Sequence, residues 1–257
     1  MAIKLIADPH GSFQGLVEDI ASDDVLLILG DVPDLIDWAD FSGIIPDVVG
    51  RENFVGKLLS ALKEGPEAAI ALRDELLSPD GAYYHELLSR TSEQYEQFCE
   101  VLKQIGCRTY IVYGNADIPE LMQVALDGTE NAAMARGKID IDGTVFGFVP
   151  GAIYSPFKLP AEMDDEMFGA RLRELGKVDV LCTHIPPRYE AALFDVVAGR
   201  PVEGSGTLLD YIERERPAYL YHGHVHQPAQ RELTIGDTRV INVAYYKRDR
   251  YVHIHGD

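Results

Sequence analysis

The chain has 257 residues, 46% of them hydrophobic, which is enough for one substantial core. Its 42 acidic residues against 23 basic ones leave a formal charge of -19, which argues against a surface that tracks a nucleic-acid backbone or an anionic bilayer. Cys99, Cys107 and Cys182 are scattered and odd in number, as expected of reduced thiols in a cytoplasmic protein. No stretch approaches membrane length and no leader-like segment opens the chain, so a soluble, unprocessed protein with no membrane partner is expected.

Ile3–Ala7 is a short apolar run cut off by Asp8-Pro9-His10-Gly11, which predicts a strand and a turn, after which Ser12 can cap a helix reaching about Ala21. The unbroken apolar run Val25–Leu29 predicts a strand buried on both faces and ending at Gly30-Asp31. From Val32 to about Gly106 the spacing turns helical, as at Phe54/Leu58/Leu62, Ala69/Leu72/Leu76 and Tyr95/Phe98/Leu102. This predicts a helical insertion at about 38–106, suited to cover a sheet edge, to act as a lid, or to join two copies as a homo-oligomer.

Thr109–Tyr113 is a strand again, ending in Gly114-Asn115-Ala116-Asp117, and a short helix starts at Pro119. Lys138–Val149 reads as a hairpin around Asp142-Gly143. An amphipathic helix is expected over Glu162–Gly176, then a strand over Val178–Thr183 that ends at His184. Ser205 or Thr207 can cap a helix to Arg216, and the strand Ala218–Tyr221 runs into His-Gly-His-Val-His-Gln. A hairpin over Arg231–Val243 turns at Gly236-Asp237, and Tyr251–His255 adds a last strand. No repeat or low-complexity linker divides the chain, which points to one domain.

The polar residues stand where the apolar strands stop. Three of the eight histidines fall in 222–226. Five strands end in Asp8/His10, Asp31, Asn115, His184 and His224/His226, and ligands of open α/β sheets gather at such carboxyl ends. Two carboxylates, one carboxamide oxygen and four imidazoles are too rich in nitrogen for a calcium or magnesium cage and too numerous for one tetrahedral ion. They suit two borderline divalent ions sharing a carboxylate. Such ions, roughly 3.5–4 Å apart, can hold a hydroxide between them and clamp both oxygens of a phosphoryl centre.

As an ordered set, D-x-H, GD-x-x-D, GN-x-D, a lone His and GH-x-H resemble the signature of the calcineurin-like metallophosphoesterases, from Asp8 to His226. Ser155-Pro156-Phe157, Thr183–Pro187 and Gly204-Ser205 are most similar to the bacterial and archaeal branch related to cyclic-nucleotide phosphodiesterases. The resemblance implies an α/β fold, a four-layer α/β/β/α sandwich of two mixed β-sheets flanked by helices. It implies that Asp8, His10, Asp31 and His226 hold one metal and Asp31, Asn115, His184 and His224 the other, with Asp31 bridging. The expected cofactors are two divalent ions, manganese first, with iron, zinc, nickel or magnesium as alternatives. Asp31, Asn115 and Asp117 become the candidate catalytic residues, with Asn115 beside the bound phosphate and Asp34 and Asp117 orienting the ligands from behind.

The activity implied is hydrolysis of a phosphodiester or related small phosphorylated substrate, diesters ahead of monoesters. The rival reading is a catalytically inactive scaffold on the same fold. One departure matters: many members carry a proton-donating His directly after the Asn, where this chain has Ala116. A general acid commonly contributes about 10²–10⁴-fold, so its loss should penalise poor leaving groups most. Arg188 is a candidate phosphate contact. His85 could replace the missing acid, although a solvated helix position is the plainer reading. His222 is expected to pack, His253 and His255 to sit on an edge strand, and Lys247–Arg250 is too short a basic run to suggest nucleic acid.

Overall fold

The computed structural model describes residues 1–37 and 40–257, so the expected start of the insertion at residue 38 lies outside the described residues. The alternation of side chains along Val25–Leu29 shows how the layers are built. Val25, Leu27 and Leu29 pack with Phe146, Phe148, Cys182 and Ile241 between two sheets. Leu26 and Ile28 point the other way, onto Tyr95, Phe98, Leu102 and Met122 of covering helices. A strand with both faces buried has no polar side, which is why this run carries no polar residue.

The first sheet contains β1 (Ile3–Ile6), β2 (Val25–Leu29), β3 (Arg108–Val112) and β4 (Ala132–Met134), all parallel. The second begins with the hairpin β5 (Gly137–Ile141) and β6 (Thr144–Val149), which turns at Asp142-Gly143 as expected. The chain then makes a short pair, β7 (Ala152–Ile153) with β8 (Glu162–Met163), before β9 (Val180–Thr183) returns to the second sheet. A second short pair, β10 (Phe194–Asp195) with β11 (Arg200–Pro201), precedes β12 (Tyr219–His222). The hairpin β13 (Glu232–Ile235) and β14 (Thr238–Asn242) ends the second sheet, whose order is β13-β14-β12-β9-β6-β5. The last strand, β15 (His253–Ile254), crosses back as the antiparallel edge of the first sheet, beside β1.

The outer face of the second sheet is covered by the helices Asp165–Leu175 and Gly206–Glu215 through Phe168, Leu172, Leu208 and Tyr211. Helix, sheet, sheet and helix thus make the four layers that the resemblance implied. Among the described residues, four helices, Ile44–Val49, Arg51–Glu64, Pro66–Leu77 and Tyr84–Ile105, lie between β2 and β3. They bury a cluster of their own around Phe54, Leu58, Leu72, Leu76 and Leu87. The long helix Tyr84–Ile105 serves two layers, since Leu87 belongs to that cluster while Tyr95, Phe98 and Leu102 cover the first sheet.

Some boundaries differ from the sequence reading. The helix expected from Ser12 is only Leu16–Asp19, because residues 8–11 turn sharply, Ser12 N–H closes that turn on Pro9 O, and the Asp24 carboxylate takes the Ala21 and Ala2 N–H groups at the other end. Glu162 and Met163 are extended rather than helical. The buried Glu162 carboxylate accepts N–H bonds from Ser155 and Leu159, and the helix starts only after Asp164, whose side chain caps Met167 N. Of the two candidate caps for the next helix, Ser205 is the one used; its Oγ accepts Leu208 N–H at 2.9 Å. No helix among the described residues is long and apolar enough to cross a membrane.

Candidate metal centre

Five parallel strands stop at one place. β1, β2 and β3 deliver Asp8/His10, Asp31 and Asn115, and β9 and β12 deliver His184 and His224/His226 from the facing sheet. Asp8, His10, Asp31 and His226 bring one potential ligand atom each to within 4.8 Å of one another, and so do Asp31, His184 and His224. Asp31 is common to both sets. Asn115 joins the second, its Oδ1 lying 2.9 Å from His184 Nε2. All seven expected side chains therefore meet.

The backbone is forced to bring them there. Asp8, His10, Asp31 and His224 have φ of 55°, 38°, 54° and 69°, a left-handed conformation that costs a non-glycine residue on the order of 1–3 kcal/mol. Bonds from Asp8 N–H to Gly30 O and from His10 N–H to Asp31 O lock the first two strand ends together. The glycines ahead of the ligands act mainly by what they lack. A Cβ on Gly30 would lie 2.5 Å from His184 Nδ1, and one on Gly223 2.8 Å from Asp8 Oδ2. Only Gly30 of these two also has a positive φ, so turn formation alone does not account for the pattern.

Hydrogen bonds fix which ligand atoms are free. His184 Nδ1 lies 2.8 Å from the Leu29 carbonyl, which can only accept, so that nitrogen carries the proton and Nε2 presents a lone pair. This lone pair faces Asn115 Oδ1 at 2.9 Å and Asp31 Oδ2 at 3.5 Å, two further acceptors. Asp31 Oδ1 already takes the Ala116 N–H at 2.8 Å, leaving Oδ2 turned toward both His184 and His10 Nε2, the latter at 3.8 Å. Asp8 Oδ2 takes the His224 N–H, and Asp8 Oδ1 is buried without a partner. His10 Nε2 and His226 Nε2 are 3.3 Å apart. Two nitrogens bound to one ion at about 2.0–2.1 Å would be spaced about 3.0–3.4 Å.

These acceptors converge with too few protons between them, and that is the environment a cation satisfies. Burial raises the Asp31 carboxyl to about 7, and burial with the neighbouring Asp31 raises Asp8 well above the ordinary carboxylate range. Burial likewise lowers His184 and His226 to about 4, and His10 and His224 well below the ordinary imidazole range. The short His-to-Asp distances are therefore not ion pairs between protonated imidazoles and carboxylates. Neutral imidazoles beside carboxylates are metal-ligand chemistry, and the residues fit a divalent pair.

Asp117, expected as a catalytic residue or orienter, is buried and has no free oxygen. Its carboxylate accepts N–H bonds from Asp31, Val32 and Gly114 and the hydroxyl of Tyr95, which ties the β2 and β3 ends together. Asp34 is held by Lys247 Nζ at 3.0 Å. Arg188 is exposed, and its Nε donates to Gly204 O. His85 is exposed on Tyr84–Ile105. His222 is buried with Nδ1 3.0 Å from Gly223 O, and His253 lies on the edge strand β15, as expected.

Two residues escaped the sequence reading. The Tyr245 ring stacks on His226 with centroids 4.1 Å apart and planes 6° apart, while its hydroxyl donates to Asp37. Lys247 Nζ bridges Asp34 and Asp37. They reach the site because Tyr246 N–H bonds Ala7 O and Lys247 N–H bonds Asp8 O, pairing the C-terminal segment with the first ligand turn. The only signal was the compact basic run 247–250, which reads equally well as surface charge.

Residues 1–228 match the calcineurin-like phosphoesterase family, and the chain belongs to it. One crystal structure aligns over 98% of this chain and 94% of its own length at 15% identity, with a TM-score of 0.62. The crystal structure of TT1561 of Thermus thermophilus aligns over 98% of this chain and 96% of its own at 13% identity, with a TM-score of 0.58. At these identities the likeness is one of fold. No curated protein matches the sequence.

Proposed function

We propose that this chain is a dimetal-dependent phosphoesterase that hydrolyses a phosphodiester or a related small phosphorylated compound. The observation that carries the reading is the sharing of Asp31 by two ligand clusters, in the first of which the buried Asp8 Oδ1 lacks a donor. Asp8, His10, Asp31 and His226 would hold one ion, and Asp31, Asn115, His184 and His224 the other, manganese being the first candidate. Bound there, such a pair supplies Lewis-acid activation of the phosphoryl oxygen and of water.

The protein's own part is to orient. Leu29 O fixes the His184 tautomer, Ala116 N–H fixes the bridging carboxylate, and Asp117 holds both turns from behind, acting as a positioning residue. Asn115, whose Oδ1 is turned toward His184, would hold an ion through that oxygen and leave its amide nitrogen for a substrate oxygen. The segment from about 38 to 106 is a helical insertion in a single domain and walls the site on one side. With Ala116 in the position of the usual imidazole, diesters with acidic leaving groups are favoured over alkyl monoesters.

The test is metal analysis of the purified protein joined to a panel of nitrophenyl diesters, nitrophenyl monoesters and cyclic nucleotides with Mn, Fe, Zn, Ni and Mg. Two ions per chain and faster turnover of diesters than of monoesters are expected. Absence of both metal uptake and turnover would turn the reading toward a scaffold.

A further inference from the structure

Behind the Asn115-Ala116 turn lies a cavity of about 70 Å³ that the metal chemistry does not use. Its walls come from the insertion helices, including Leu58, Leu72, Leu76 and Leu87, and from Phe157 of the loop after β7. Asn115 and Ala116 form the wall that it shares with the candidate metal centre. Position 116 lies on that shared wall, where Ala116 takes up less room than an imidazole would.

Away from the Asn115 wall, the polar side chains among the described residues lining the cavity are already engaged. Thr91 Oγ1 donates to Leu87 O at 2.7 Å. The Arg73 guanidinium donates to the Phe157 and Lys158 carbonyls and to Asp74. Asp117 has its oxygens filled by three backbone N–H groups and Tyr95. A sugar or other polyol in this space would surrender hydrogen bonds to water and regain none, whereas hydrocarbon would only gain. Since a water-sized site takes about 10–15 Å³ of such volume, the cavity has room for a chain of about four to six carbons.

We propose that this cavity receives an apolar ester arm of the substrate, so that the preferred compound is a phosphodiester bearing an aliphatic group of that length. The inference rests on the phosphoesterase reading and names the substrate class of the same site. Each methylene that enters should strengthen binding about fourfold.

The experiment uses the full chain with manganese and a series of p-nitrophenyl alkyl phosphodiesters from methyl to octyl. The expected result is a kcat/KM that rises about fourfold per methylene to a plateau at four to six carbons. A terminal hydroxyl on the hexyl arm should reverse most of the gain, and Leu72→Trp or Leu76→Trp, which fill the space, should flatten the series. A parallel measurement needs no turnover: alkyl phosphonates of the same lengths should raise the melting temperature in steps that follow chain length in the wild type and not in the filled variants. Turnover that ignores arm length overturns the inference and leaves the phosphoesterase reading standing. Absence of turnover with every metal overturns that reading instead, and the melting series then decides whether the cavity takes an apolar arm.

Discussion

The strand-end turns and the helical cluster around Leu58 and Leu72 touch at Asn115 and Ala116, yet they are held together in opposite ways. The turns bury carboxylates and imidazoles, hold four ligand candidates in left-handed backbone, and leave Asp8 Oδ1 and His10 Nδ1 without partners. The helices bury aliphatic side chains on one another and ask nothing of a bound group. The first region carries a desolvation cost that a cation relieves, whereas the second stands on apolar burial alone. Chemistry is concentrated where folding is least favourable, and the neighbouring apolar region is free to recognise.

The sharpest way to break this contrast is Asp31→Ala, which removes the one ligand common to both clusters. Metal content should fall from two ions toward none, and turnover should drop by more than the roughly 10–100-fold that loss of an outer partner costs, read by elemental analysis and initial rates. Asp117→Ala acts on the scaffold behind the turns. It strips the acceptor from three backbone N–H groups and Tyr95, and at about 1–3 kcal/mol per orphaned group it should lower stability to urea by at least about 3 kcal/mol.

Tyr245→Ala removes the ring stacked on His226 and should weaken metal binding roughly 10–100-fold, while Tyr245→Phe, which keeps the ring and loses only the bond to Asp37, should cost about 0.5–1.5 kcal/mol of stability. A calorimetric titration of metal against pH tests the buried carboxyl itself. Burial raises Asp31 from an ordinary 3.8 to about 7, so below that value an ion must displace a proton. The imidazoles His184 and His226, lowered to about 4, stay neutral and do not compete. Asp8, also raised by burial and by Asp31, adds a second proton to be displaced, so affinity should climb as pH rises through 7. At the small end, His85→Ala should leave both turnover and metal content unchanged, since its side chain is exposed.

What could be read from the sequence divides along the same line. The seven ligand candidates were legible because each stands within a few residues of the end of an apolar run, so its position at a strand end is local information. The hairpins at Asp142-Gly143 and Gly236-Asp237 and the cap at Ser205 were legible for the same reason. Tyr245 and Lys247 were not. Their roles come from the pairing of Tyr246 and Lys247 N–H with Ala7 and Asp8 across more than half the chain, and nothing in the neighbouring sequence signals it. The helix forecast from Ser12 and the extended Glu162 failed because tertiary bonds, the Asp24 and Glu162 carboxylates to distant or turning N–H groups, overrode local propensity. The cavity beside Ala116 could not be foreseen either, since it depends on how four helices close over one turn.

The most direct test of the shared carboxylate is a crystal of the manganese-soaked protein with anomalous data collected above the metal edge. Two peaks roughly 3.5–4 Å apart are expected, one among Asp8, His10 and His226 and one among Asn115, His184 and His224, with Asp31 between them. A single peak, or a pair that leaves Asp31 uncoordinated, would contradict it.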